Sequence, residues 1–304
     1  MNNTTIQILG LDVGNSQIKT RQTCFANGID RLTSEPILLA NTMEYEGVKY
    51  QTAINRQKIR DNKFEDDIFF LQHLAAEGAE LSKRGIHEAE VVLAVGTPIA
   101  RFGAEKKKYI QYLTKKRDLN FYYGGNAFHV MVNNVFVFPQ CYSAVVDRLP
   151  EMSGVEYVVD IGSWTVDYMK IVNRTPDEAS CTSDPNGLIT VMRKIDDVCV
   201  RKVNAKIDEF MIRQVMMNGT ANLDQIYIDL IKEELALYTK SILRNMMENG
   251  INIKTTPISF VGGGATLMKQ YSGVSQRNIT YFEDVRANAI GYETLAKLYM
   301  DNRK

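Results

Sequence analysis

The chain has 304 residues, 45% of them hydrophobic and 24% charged, with 36 Lys plus Arg balanced by 36 Asp plus Glu. This length suits about two domains, and the composition is ordinary for a globular protein. A net charge of zero argues against broad electrostatic binding to DNA or RNA, which needs an excess of Lys and Arg on one face. We therefore expect no direct sequence-specific binding to DNA.

Apolar segments and cysteines indicate the compartment. No apolar stretch approaches the roughly 18 residues of a membrane-spanning helix. Residues 1–7 lack the charged and apolar regions of a signal peptide. None of the cysteines forms a Cys-x-x-Cys pair, so reduced thiols are expected; they are Cys24, Cys141, Cys181 and Cys199. The sequence thus predicts a cytoplasmic protein without a membrane partner.

Strand and helix patterns alternate along the chain. The first half predicts a strand at residues 4–13, a returning strand at 18–25, short strand-like pieces at 36–39 and 48–50, a helix at 66–83, a strand at 91–95, a helix at 104–116, a strand at 128–138 and a helix at 140–149. The second half predicts a strand hairpin at 157–172, two helices that follow Gly187 and end at Asn218-Gly219 and Asn249-Gly250, a buried strand at 258–261 and a last helix at about 286–300. Much the same order occurs twice, which predicts a duplicated α/β fold.

Two domains follow from this duplication. We predict a first domain over residues 1–150, with a small subdomain at about 28–90 and the C-terminal helix, 286–304, packed back against it. The second domain would cover 151–285 and contain a helical subdomain at about 186–250. No Pro/Gly/Ser-rich linker separates the halves, so we expect them to be tightly joined.

Two short segments share one pattern: an Asp at the end of an apolar strand, a Gly two residues later, then a returning strand. The first is 12–19 and the second is 160–167. Backbone N–H groups in a tight turn that contains Gly can converge on an anion. Asp-x-Gly alone is a weak signal, because it recurs in many tight turns by chance. Two copies, one in each predicted domain, indicate a duplicated phosphate-binding device.

The residues of these hairpins suit nucleotide phosphates and a metal ion. Lys19 places a positive charge beside the phosphates bound by the first turn. Asp12 and Asp160 could hold Mg²⁺ if the hairpins face each other, and would do so through water, because Mg²⁺ retains much of its hydration shell. We therefore expect nucleotide hydrolysis between two similar half-molecules.

Five segments, in order, resemble the actin-like ATPases. They are Asp12-Val13-Gly14 with Lys19, Phe138-Pro139-Gln140, Asp160-Ile161-Gly162 with Asp167, Phe260-Val261-Gly262-Gly263-Gly264-Ala265, and Ala287-Asn288-Ala289-Ile290-Gly291. Gly96-Thr97-Pro98 further resembles the ParM-type plasmid-segregation actins of bacteria. The resemblance implies an α/β fold of the duplicated actin, chaperone and sugar-kinase type, with two α/β domains around a nucleotide cleft and a smaller subdomain in each.

The resemblance also implies roles for individual residues. The β- and γ-phosphates would be held by Asp12, Gly14, Asn15, Ser16 and Lys19. The other side of the phosphates and the metal would be held by Asp160, Gly162, Ser163 and Thr165. Gln140 would position the attacking water, and the adenosine would lie against Gly262, Gly263 and Gly264. Lys232 and Glu233 resemble the pair that flanks the nucleoside; alternatively they belong to a solvated helix face.

The sequence therefore favours a nucleotide-dependent, filament-forming ATPase. The resemblance implies ATP as cofactor, with GTP possible, together with Mg²⁺, a polymer of the chain itself, and an adaptor protein bound to centromere-like DNA through which plasmid DNA is segregated. A neutral Gln can orient water but is no strong base, so hydrolysis should be slow unless polymerisation stimulates it.

Two alternatives are compatible with the same fold, because a shared fold does not settle function. One is a small-molecule kinase or phosphotransferase, which usually carries a larger insertion than the short one after the first hairpin. The other is a non-motile cytoskeletal scaffold. Retention of Asp12, Lys19, Gln140 and Asp160 argues against a scaffold that has lost hydrolysis.

Overall fold

The structure is a computed structural model that describes residues 6–57 and 63–302. The chain divides into two compact units. Unit 1 comprises Met1–Asp147 and Arg286–Lys304, and unit 2 comprises Arg148–Val285. Within the described ranges, no helix is long and apolar enough to cross a membrane.

The described residues form fifteen strands and seven α-helices, with three short 3₁₀ helices at Lys63–Glu65, Ser143–Glu151 and Glu178–Ser180. The strands are β1 Gln7–Val13, β2 Gln17–Lys19, β3 Cys24–Ala26, β4 Gly28–Arg31, β5 Thr42–Tyr45, β6 Val48–Ile54, β7 Glu88–Thr97, β8 Asp118–Tyr123, β9 Asn126–Pro139, β10 Val155–Ile161, β11 Val166–Val172, β12 Thr175–Pro176, β13 Thr182–Asp184, β14 Ile258–Val261 and β15 Ile279–Phe282. The helices are α1 Asp67–Arg84, α2 Ile99–Leu113, α3 Leu188–Val203, α4 Glu209–Asn218, α5 Gln225–Glu248, α6 Gly263–Tyr271 and α7 Ala287–Asp301.

Unit 1 is built on a sheet whose described strands lie in the order β3-β2-β1-β7-β9-β8-β5-β6-β4. Strand β7 runs parallel to both of its neighbours, β1 and β9. Both faces of this central part are covered: Leu9 and Leu11 share a core with residues of α1 and α2, whereas Ala94 packs with Tyr292 of α7. Burial on both faces explains the nearly continuous apolar runs of these strands. The carboxyl ends of three adjacent parallel strands therefore meet at one edge.

Unit 2 repeats this arrangement with a smaller sheet, whose described strands lie in the order β12-β11-β10-β14-β15, with β13 paired to β11. Strand β14 runs parallel to β10 and to β15, whereas β10 and β11 form an antiparallel hairpin. Four helices, α3 to α6, contribute to its core, which centres on side chains such as Ile195, Ile231 and Phe260. Here too, three parallel strands end at a common edge.

Five predicted elements differ from the structure, and the fifth is the helix predicted to end at Asn218-Gly219, which is interrupted between α3 and α4. The returning strand predicted at 18–25 is interrupted, because Thr20 and Gln22 turn to donate hydrogen bonds to the buried carboxylate of Glu80. The piece at 36–39 is a loop in which Ile37 is fully exposed. The helix predicted at 104–116 is observed at Ile99–Leu113, so it begins directly after Pro98 and ends three residues earlier than predicted.

The fourth difference is the helix predicted at 140–149. The structure has a 3₁₀ helix there, Ser143–Glu151, which contains Pro150. Proline lacks the N–H that an α-helix interior needs. The strand predicted at 4–13 is observed from Gln7, and residues 4 and 5 lie outside the described residues.

Candidate nucleotide-binding site

The two predicted phosphate hairpins have the same backbone construction. In the first, Gly14 N–H donates to the Gln17 carbonyl at 3.0 Å, and in the second, Gly162 N–H donates to the Thr165 carbonyl at 2.8 Å. Each Asp pairs across its hairpin with the residue seven positions later, Lys19 in the first and Asp167 in the second. The recurring pattern in the sequence is thus a recurring structure.

The backbone carbonyl groups of both turns accept hydrogen bonds from neighbouring segments of the chain. In unit 1, the side-chain amide of Asn27 donates to Gly14 O at 2.9 Å, and its backbone N–H donates to Ser16 O at 3.0 Å. In unit 2, the first amides of α3 donate to Gly162 O at 3.0 Å and to Ser163 O at 2.9 Å. These bonds fix the orientation of the peptide groups in each turn.

The amide groups of the same turns are available to a ligand. No described residue accepts a hydrogen bond from the backbone N–H of Asn15, Ser16 or Ser163. Successive N–H groups in a turn form a concave site for an anion. The Ser16 hydroxyl is buried and has no partner among the described residues, so the backbone of Ser16 is better placed than its side chain to contact a phosphate.

The two hairpins differ in charge. Lys19 Nζ lies 3.1 Å from Asp12 Oδ2, and the Asp12 side chain is almost fully buried. In the second hairpin, Asp160 and Asp167 are cross-strand neighbours, and Thr165 Oγ1 donates to Asp167 Oδ2 at 3.0 Å. Like charges directly opposite each other in a sheet are unfavourable. The second hairpin therefore has two carboxylates at the positions where the first hairpin has a carboxylate and an ammonium group.

A metal site formed by these carboxylates would have few protein ligands. Among residues 6–57 and 63–302, no group of three or more His, Cys, Asp and Glu side chains could hold a metal ion. Mg²⁺ does not need such a group, because one or two carboxylates, water and substrate phosphates commonly complete its coordination. The pair in unit 2 fits this requirement.

Gln140 lies at the sheet edge of unit 1, directly after β9. Its backbone N–H donates to the carbonyl of Thr97, at the end of β7, at 3.0 Å. The next residue, Cys141, has a φ of 64°, which is uncommon outside glycine, and its N–H donates to the buried Asn288 Oδ1 at 3.1 Å. A residue held in this conformation by its surroundings is typical of a functional position. The backbone around Gln140 is thus fixed from two other elements.

The glycines after β14 position a helix against the second hairpin. Gly262 has a φ of 72°, and a Cβ on it would lie 3.4 Å from Asp160 Oδ1. A Cβ on Gly264 would lie 2.1 Å from Ile161 Cβ, so only glycine lets α6 pack this closely against β10. The N-terminus of α6 and the carboxylate of Asp160 consequently lie side by side at the edge of unit 2.

This fold and part of the sequence match known proteins. Residues 42–142 match the family profile described as "Actin like proteins N terminal domain". The chain superposes on the archaeal actin homologue Ta0583 in complex with ADP, with a TM-score of 0.76, 18% identity, and coverage of 96% of this chain and 100% of that one. The chain has the actin-like fold. The predicted fold class is therefore confirmed.

Two further structures resemble this actin-like chain. Bacillus thuringiensis ParM with ATP has a TM-score of 0.72 and 12% identity, over 98% of this chain and 100% of that one. The Alp12 filament structure has a TM-score of 0.67 and 14% identity, over 98% and 100%. No curated protein sequence matches the chain significantly. The roles of individual residues in this actin-like chain stay predictions.

Lys232 and Glu233 lie on α5 of the actin-like chain, within the helical part of unit 2. Glu233 Oε2 is 3.6 Å from Lys202 Nζ, and both side chains are exposed. No hydrogen bond or ion pair in the described part of the chain joins either residue to the glycines 262–264. Glu233 thus lies on an exposed helix face and Lys232 is half-buried, and their predicted place beside the nucleoside stays a prediction.

Sequence reasoning missed residues that lie beside the first hairpin. Asn27 binds the turn, and its Oδ1 also accepts from Gln57 N–H at 2.9 Å. Lys63 lines a pocket with Gly14 and Asn15. Neither residue belongs to a local motif, so only the folded chain brings them to the turn.

Trp164, in the turn of the second hairpin, packs against the core of unit 2, with the Arg193 guanidinium 5.4 Å from its ring.

Proposed function

We propose that this actin-like chain is an ATPase that binds ATP with Mg²⁺ and assembles into filaments. The observation that carries the proposal is the repeated hairpin, in which the turn carbonyls are bound from behind and the amides of Asn15, Ser16 and Ser163 have no acceptor among the described residues. Such turns suit the phosphate groups of a nucleotide. Two proteins with this fold, Ta0583 in complex with ADP and Bacillus thuringiensis ParM with ATP, support the choice of ligand.

In this proposal the first hairpin binds phosphate oxygens through its amides and through Lys19, whose charge is partly neutralised by Asp12. Asp160 and Asp167, with Asp12, would bind Mg²⁺ through water. The metal would supply charge neutralisation at the phosphates. Gly262, Gly263 and Gly264 would let the backbone approach the adenosine, and Lys232 with Glu233 would flank the nucleoside only if their helix face is covered by the ligand.

Gln140 would orient the water that attacks the terminal phosphate. Phosphoryl transfer depends on positioning and charge stabilisation more than on a strong base, and a side-chain amide can both donate to and accept from water. The bonds that Thr97 and Asn288 make with the backbone at and after Gln140 would keep that amide in place. Hydrolysis should be slow, and faster in the polymer.

The cellular role we propose is the segregation of plasmid DNA by a cytoplasmic filament. The filament would reach DNA through an adaptor protein bound to a centromere-like sequence, since the chain itself has no net charge. Likeness in fold to a ParM protein and to a filament of Alp12 supports this role. GTP is a second candidate nucleotide.

The test combines pelleting, negative-stain electron microscopy and phosphate release, each with ATP, GTP, ADP and no nucleotide, with and without Mg²⁺. We expect filaments and phosphate release with ATP and Mg²⁺ only, or with GTP in addition. A chain that binds ATP but forms no filament under any condition contradicts assembly. If the chain releases ADP only when a sugar is added and forms no polymer, the chain is a kinase.

A further inference from the structure

A pocket that is open to solvent lies beside the first hairpin, within unit 1. Its lining includes Gly14, Asn15, Asn27, Lys63 and Phe69. The backbone amides of the hairpin thus share one concave surface with a lysine from a distant part of the sequence. Lys63 lies in the 3₁₀ helix Lys63–Glu65, just before α1.

The ammonium group of Lys63 has no anionic partner in the part of the chain that the structure describes. No carboxylate in residues 6–57 or 63–302 forms an ion pair with it, and no described residue accepts a hydrogen bond from it. Its recorded contact is with the ring of Phe69, whose centroid is 5.5 Å from Nζ. Burial lowers the pKa of Lys63, although the charges of Asp12 and Glu105 oppose this shift.

The nearby carboxylates are already engaged. Asp12 is paired with Lys19 at 3.1 Å, and Asp66 accepts the N-cap hydrogen bond from Ile68 N–H at 2.9 Å. Glu105 accepts a hydrogen bond from Thr97. A half-buried cation without a counter-ion is less favourable than a paired one. An anionic ligand in the pocket would relieve this cost and would also receive the hairpin amides.

We propose that Lys63 is an additional phosphate-binding residue, whose ammonium contacts the phosphate chain of the bound nucleotide. The inference rests on the proposed function, because the ligand is the same nucleotide. Lys19 is held by Asp12, so its charge is shared between a carboxylate and the phosphates. Lys63 has no such competitor among the described residues and contributes its whole charge to the ligand.

The experiment compares the wild-type chain with Lys63→Met, Lys63→Arg and the control Lys107→Met, which removes an exposed lysine of α2. Isothermal titration calorimetry measures Kd for ATP and ADP, and circular dichroism measures Tm without ligand. We expect Lys63→Met to weaken both nucleotides at least tenfold, Lys63→Arg to stay within about threefold, and Lys107→Met to match the wild type. The Tm of ligand-free Lys63→Met should be equal or higher, because a half-buried charge without an ion-pair partner among the described residues is removed.

Three outcomes separate the hypotheses. If the wild-type chain binds neither ATP nor ADP, the proposed function fails and this inference fails with it. If the wild type binds and Lys63→Met binds within twofold, only the role of Lys63 is rejected. If the Tm of the ligand-free chain falls equally in Lys63→Met and Lys63→Arg, Lys63 is a structural residue and the inference is overturned.

Discussion

The ammonium of Lys19 lies 3.1 Å from the carboxylate of Asp12, its partner across the first hairpin. At the corresponding place in the second hairpin, Asp167 faces Asp160. One backbone design therefore carries a neutralised ion pair in unit 1 and two carboxylates in unit 2. This difference fits our proposal that Lys19 contacts the phosphates, whereas Asp160 and Asp167 contribute to the binding of Mg²⁺.

Replacement of Lys19 by Met should affect both stability and nucleotide binding. The Asp12 carboxylate would be left buried without its cation, which should lower the free energy of unfolding by about 2 kcal/mol. ATP affinity should fall about tenfold. Urea unfolding followed by circular dichroism and calorimetric titration measure the two effects. The control Lys49→Met breaks the exposed pair with Glu35 and should change neither measurement. If Lys49→Met lowers stability and ATP affinity as much as Lys19→Met does, Lys19 has no special role.

Replacement of Asp160 by Asn should weaken the dependence of hydrolysis on Mg²⁺. The variant keeps the shape of the side chain but removes one of the two facing charges that would attract the metal. We expect the Mg²⁺ concentration for half-maximal phosphate release to rise at least tenfold. The control Asp229→Asn alters an exposed residue of α5. An unchanged Mg²⁺ requirement in Asp160→Asn would reject the assignment.

Replacement of Gly264 by Ala should destabilise unit 2. The new Cβ would lie 2.1 Å from Ile161 Cβ in a packed core, and overpacking of this kind costs about 1–3 kcal/mol. Gly103→Ala is a matched control in α2, where a Cβ meets no atom within 4 Å, and should be neutral or slightly stabilising. The single tryptophan, Trp164, lies in unit 2, so its fluorescence during urea unfolding reports this unit directly.

The hairpins could be predicted because their pattern is local. An apolar run that ends in Asp-x-Gly specifies a strand and a tight turn within a few residues, and Gly262 likewise ends a short apolar strand. Asn27 and Lys63 could not be predicted as site residues. Asn27 reaches the first turn from the segment between β3 and β4, and Lys63 from the 3₁₀ helix before α1, and no spacing in the sequence indicates either approach.

Local composition was misleading where tertiary contacts decide the conformation. The apolar residues 36–39 suggested a strand, yet Ile37 is fully exposed and the chain there forms a loop. The apolar residues after Gln140 suggested an α-helix, whereas Pro150 and the positive φ of Cys141 accompany a 3₁₀ helix. In both places the type of side chain was compatible with several backbones.

Replacement of Gln140 by Ala should slow hydrolysis without loss of binding. The methyl group cannot orient water, so phosphate release should fall at least tenfold while the Kd for ATP stays within about twofold. Filaments should still assemble with ATP and should persist for longer. Gln111→Ala, at an exposed position of α2, is the control. If Gln140→Ala turns over ATP at the wild-type rate, another group must position the water.

Glu77 should make the chain less stable as the pH rises from about 4.5 to about 8. Its side chain is buried in α1, its Oε2 has no partner among the described residues, and burial raises its pKa to about 8. The folded chain therefore keeps a proton that the unfolded chain, in which the pKa of Glu77 is near its ordinary value of 4.5, has already released. Each rise in pH between these values lowers the free energy of unfolding.

Glu77→Gln removes this dependence on pH. Between pH 6.5 and 8, the free energy of unfolding of the variant should rise by about 1.5 kcal/mol relative to that of the wild type. This window avoids His73, whose pKa is lowered to about 4 by burial and whose contribution to the slope ends near its ordinary value of 6.5. Urea unfolding at each pH measures the difference, with the exposed Glu248→Gln as control. Parallel curves for wild type and Glu77→Gln across this window would mean that Glu77 is ionised in the folded chain.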